Sequence, residues 1–161
     1  MATYLRTRYL IFVLLPLAGS CSIGTPRESD QMCAEISRFA STIKAGESHS
    51  VVLRGGWGGD MPNILMTHDC QAFGYGPGNA LCAYLVPNTS WEFGQNNAKR
   101  AAECLDSSSR QDFIRRLDKY EWPAEIASPL RTSADKDVQV TVSFETKELS
   151  ILTLSAARVG N

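Results

Sequence analysis

Residues 138–156 read VQVTVSFETKELSILTLSA. Val138, Val140, Val142 and Phe144 alternate with Gln139, Thr141 and Ser143, so an extended chain here puts its apolar side chains on one face. After Glu145-Thr146-Lys147-Glu148, a second β-rich run from Leu149 to Ala156 returns. The two runs predict a hairpin with one apolar face, and such a face must pack on something. The rest of the chain has to supply the cover.

Helical periodicity supplies it. Met32, Ile36, Phe39, Ala40 and Ile43 recur at helical spacing and Gly46 follows as a stop, which predicts a helix over 30–45. Thr89 and Glu92 have the T-x-x-E spacing of a capping box and predict a second helix over 89–105. Its expected inner surface is Phe93, Ala98, Ala101, Ala102, Cys104 and Leu105. Ala80 to Val86 reads as a short helix ended by Pro87, and residues 111–121 fit either a helix or a strand. His49 to Arg54 reads as a strand broken by Gly55 and Gly56, while Trp57 to Pro77 shows no steady period. The expected fold class is α+β, with helices packed on one face of a small antiparallel sheet.

The first twenty residues belong to something else. Arg6 and Arg8 precede an uncharged core, Tyr9 to Ala18, and the small residues Ala18, Gly19 and Ser20 follow. That order is a secretory signal peptide, and the core is half of the roughly 20 apolar residues that a membrane span needs. Ala18-Gly19-Ser20 suits a general signal peptidase. Together with Cys21, however, Leu17 to Cys21 (LAGSC) resembles the lipobox of bacterial lipoproteins, with Ala18 where Leu is usual and Ser20 where Gly or Ala is usual. The resemblance implies a lipidated Cys21, fatty acyl chains of the palmitate type, and attachment to an envelope membrane. Ser22 stands where Asp would retain such a protein at the inner membrane, which implies the outer membrane, facing the periplasm. The expected organisation is a signal peptide over 1–20, a lipidated N-terminus and tether over 21–29, and one globular domain over 30–161.

Cysteine parity points the same way. Exported proteins pair their thiols, and five cysteines leave one over. With Cys21 lipidated, Cys33, Cys70, Cys82 and Cys104 make two bridges. Three pairings are open to four cysteines, and the expectation is Cys33–Cys104 with Cys70–Cys82. No C-x-x-C occurs and His49 and His68 are the only histidines, so neither a metal nor another cofactor is expected.

Without residues 1–20 the basic count falls from 16 to 14 against 17 acids, a charge of about −3 with no basic run, which offers nucleic acid nothing. Candidate binding residues are Trp57 in GGWGGD, Phe73 and Tyr75 in AFGYGPGN, and His68. Trp57 either anchors a partner or folds back over the core from a wide turn, and the second is expected. A Cys70–Cys82 bridge would close the Phe73 loop, either as a recognition surface or as a plain connector. No G-x-S-x-G elbow is present, and His68-Asp69 are adjacent residues that rarely face each other. The leading expectation is a non-enzymatic, lipid-anchored binding or accessory protein of the immunity type, with a membrane and an envelope protein as partners. Alternatives are a small hydrolase using His68 with Asp60 or Asp69, and a small-ligand or glycan binder using Trp57, Phe73 and Tyr75.

Overall fold

A computed structural model of the protein describes residues 30–58, 63–105, 107–119, 124–131 and 137–158. The leader, the tether with Cys21, and Asp60 lie outside them. The order is α1 (Gln31–Ser41), β1 (Ser48–Trp57), β2 (Met66–Gln71), α2 (Gly76–Asn88), α3 (Gly94–Glu103), α4 (Ser107–Lys119), β3 (Ala124–Arg131), β4 (Val138–Thr146) and β5 (Ser150–Arg158). The strands form one antiparallel sheet in the order β2-β1-β5-β4-β3.

β4 and β5 are the expected hairpin, paired from Val138↔Arg158 to Thr146↔Ser150. Its alternation is expressed as burial: Val138, Val140, Val142, Phe144, Leu152, Leu154 and Ala156 are all buried. Three helices between β2 and β3 carry the chain across this face from one sheet edge to the other. α2 lies on β1 and β2, α3 on β4 and β5, and α4 on β3, while α1 packs against α2 and α3. Each large apolar side chain removed from water here contributes about 1.5–3 kcal/mol. The fold is thus α+β with helices on one face of the sheet. Both expected disulfides are present, Cys33–Cys104 and Cys70–Cys82.

Local chemistry sets the element ends. Asp30 caps α1, its carboxylate accepting from the Met32 amide at 2.9 Å, and Met32, Ile36, Phe39 and Ala40 form its buried stripe. Glu35 is buried in the same helix and accepts from Gln31 and Arg38, so its carboxylate is satisfied. Residues 107–119 are helical, not extended, because Phe113 and Leu117, four apart, are both fully buried.

Five expectations need correction. α1 ends at Ser41 rather than 45, where the Thr42 hydroxyl donates to the Phe39 carbonyl. β1 runs through Gly55 and Gly56 to Trp57 instead of breaking there. The Trp91 backbone crosses Gly55 so closely that a Cβ would sit 2.6 Å from its carbonyl oxygen, and Gly56 takes φ +154. Both glycines serve the strand. The Thr89–Glu92 capping box does not form, and the helix begins at Gly94. Thr89 instead ends α2, donating to the Leu85 carbonyl at 2.6 Å, while Ser90 Oγ accepts from the amides of Glu92 and Phe93. Buried Asn97 pins Ser90 from both sides, accepting from its amide and donating to its carbonyl. Phe93, expected inside, is exposed. Finally, β2 and β3 were not expected as strands. Both are edge strands, and β3 contains Pro129, which an edge tolerates.

Candidate functional site

The elements define two opposite ends. α1 starts at Asp30 and finishes beside Tyr75, where Thr42 and Tyr75 share a hydrogen bond of 2.6 Å. α2 runs the other way, from Gly76 to Asn88, about 20 Å for its 13 residues. Arg100 closes the first end, donating to the Asn88 carbonyl at 2.8 Å and reaching Asp30 at 3.4 Å. β1 starts with Ser48 and His49 near Tyr75 and finishes at Trp57. One end therefore holds Asp30, Asn88, Trp57 and Trp91, and the other holds Phe73 and Tyr75.

At the Phe73 end, the Cys70–Cys82 bridge closes a loop that is fastened again at Tyr75. The Tyr75 ring stacks on His49 with centroids 3.7 Å apart and meets the edge of Phe39. The Tyr75 amide donates to the Ala72 carbonyl at 3.0 Å, so residues 72–75 form a turn. Its central residues, Phe73 at φ +50 and Gly74 at φ +81, both have positive φ, the type I′ pattern that glycine and asparagine favour. A phenylalanine there is an outlier costing on the order of 1–3 kcal/mol. Its ring does not repay this by packing, since Phe73 is 72% exposed.

At the Asp30 end, Trp57 is 66% exposed, so it does not fold back over the core. Its ring meets Trp91 edge to face at 4.7 Å. Met66, opposite Trp57 on β2, and Leu65 just before it are exposed as well, and Phe93 is 57% exposed two residues after Trp91. Leu65, Met66, Trp91 and Phe93 were not among the expected site residues. The signal for Trp91 and Phe93 was the W-E-F triplet that follows Pro87-Asn88 after two residues.

The structure divides the expected binders. Trp57 pairs with Met66, and Val52 pairs with Gln71, so β2 separates Trp57 from Phe73 and Tyr75 by about 17 Å. Trp57, Phe73 and Tyr75 do not line one cleft. His68 lies on the helix side of β2, opposite Gly55, with Nε2 3.2 Å from the Thr89 hydroxyl. Asp69 points to the other face and accepts twice from Arg54, at 2.9 and 2.7 Å. His68 and Asp69 thus make no catalytic dyad.

Burial holds the His68 pKa below its usual value, against a smaller opposing pull from the Asp69 charge. The unfolded chain then binds the His68 proton more readily than the folded one. Its stability contribution is complete above about pH 6.5, the ordinary histidine value, and is lost as pH falls below it. Between about pH 7 and 5 the melting temperature of the protein should fall relative to that of His68→Gln. Parallel curves would refute this.

Comparison with protein-family models, with curated proteins and with solved structures finds no match to the chain.

Proposed function

We propose that the protein is a lipoprotein held by lipid on Cys21 at the periplasmic face of the outer membrane. It acts without catalysis, as a binding or accessory protein of the immunity type, and engages an envelope protein with its Phe73 end. The observation that carries the reading is Phe73 itself: a bulky aromatic in a left-handed turn, exposed, on a loop clamped by a disulfide and by the Tyr75 stack. Folding alone favours Gly or Asn at this place. Rigid, exposed aromatics are what protein interfaces use as anchors, because little freedom is lost on docking.

Strain and binding make opposite demands on residue 73, and that opposition is the test. Phe73→Asn should stabilise the fold by about 1 kcal/mol, as the strain of a large side chain at positive φ is relieved. The same variant should reduce the partner recovered with tagged full-length protein from envelope extracts by about tenfold or more. Unchanged recovery, or no specific partner from the parent protein, would sink the proposal. A variant less stable than the parent would show that the ring serves the fold.

A further inference from the structure

We infer that the Asp30 end is a membrane-contact face: Trp57, Leu65, Met66, Trp91 and Phe93 enter the interfacial layer of the bilayer that holds Cys21, so the domain stands with its Phe73 end pointing away. The inference rests on the lipid anchor proposed above and adds the orientation of the domain.

The occupant follows from where the tether leaves. The described residues start at Asp30, and Arg100 ties Asp30 to the α2–α3 connection that carries Trp91 and Phe93. The eight residues 22–29 reach at most roughly 30 Å, so the lipid holds this end nearest the bilayer, with the Phe73 end about 20 Å further away along α2. The large apolar side chains exposed at the near end are the Trp57 indole, the Phe93 ring, Leu65 and Met66, with the half-buried Trp91 beside them. Tryptophan belongs at a membrane–water boundary, where its ring is apolar on its faces and its N–H stays wet.

Such a patch would hold a free protein on a membrane only weakly. Here the tether makes insertion intramolecular, at an effective concentration in the millimolar range, so weak insertion suffices. The acyl chains hold the protein and the patch sets its tilt. Glu92, exposed between Trp91 and Phe93, and the net acidity of the mature chain rule against attraction to anionic headgroups. The contact is therefore apolar and insensitive to salt.

The test uses acylated full-length protein in phosphatidylethanolamine–phosphatidylglycerol vesicles, with Trp122→Phe so that Trp57 and Trp91 are the reporters. Lipids brominated near the headgroup end of the acyl chains should lower the indole emission about twofold or more relative to plain vesicles, at low and high salt alike. Adding Met66→Ser and Phe93→Ser should weaken this quenching without releasing the protein. Equal emission in both vesicles, with the protein floating on them, overturns the inference and leaves the anchor standing. Indoles that become shielded only when envelope proteins are added assign the patch to a protein and overturn it too. A protein that does not float with the vesicles removes the anchor and the inference together.

Discussion

Replacing Cys33 and Cys104 together by serine is expected to destabilise the oxidised protein by about 4 kcal/mol, from the loop-entropy cost of a 71-residue separation. The same arithmetic gives about 3 kcal/mol for Cys70 and Cys82, which are 12 residues apart. The order of the two effects is the sharper expectation, because both derive from one model of the unfolded chain. Cys33–Cys104 also joins the first turn of α1 to the C-cap of α3, so without it the unfolded chain is no longer closed around two strands, β1 and β2, and two helices, α2 and α3. Against a typical total of roughly 5–15 kcal/mol, its loss removes a large share of stability. Urea unfolding of the two double variants beside the parent measures both costs. A larger loss from the short loop would show that local strain or residual structure, rather than chain entropy, governs these bridges.

The second large effect is expected at Gly55. A valine there should cost about 3 kcal/mol or more, because its Cβ would lie 2.6 Å from the Trp91 carbonyl oxygen and 3.0 Å from the Trp91 Cα. Those are backbone atoms, which no rotamer change moves away. The α2–α3 connection would have to lift off the sheet, straining the Thr89–His68 and Ser90–Asn97 hydrogen bonds that hold it. Gly76→Ala is the control, since nothing lies within 4 Å of a Cβ built there. Unfolding midpoints should separate the two variants widely. Near-equal values would mean that the connection is loosely held and that Trp91 is not positioned by the strand beneath it.

The sequence by itself determined the elements whose reading depends on near neighbours in the chain. The period of two at Val138 to Phe144 specified β4 and its buried face, and the helical spacing of Met32, Ile36 and Phe39 specified α1. Folding buries an amphipathic element along its own stripe wherever the partner comes from. Thiol parity, once Cys21 was set aside, left four cysteines for two bridges, and both expected bridges are in the structure.

Only the tertiary structure decided the rest. Thr89 carries a capping signal, yet the end of α2 and His68 claim its hydroxyl, and the next helix starts at Gly94 with no side-chain cap, after a turn that Ser90 and Asn97 hold. Gly55 and Gly56 look like breakers until the Trp91 backbone crosses Gly55 and Gly56 takes φ +154 against Leu149, whereupon glycine becomes what the strand requires. β2 and β3 have no clean alternation to announce them, and each becomes a strand by pairing at a sheet edge, with β1 and β4 respectively. The separation of Trp57 from Phe73 and Tyr75 to opposite ends of β2, and of His68 from Asp69 to opposite faces, follows from register. Local sequence carries the preference of each segment, whereas competition for a shared hydroxyl, close backbone crossings and strand register arise only when segments far apart in the chain meet.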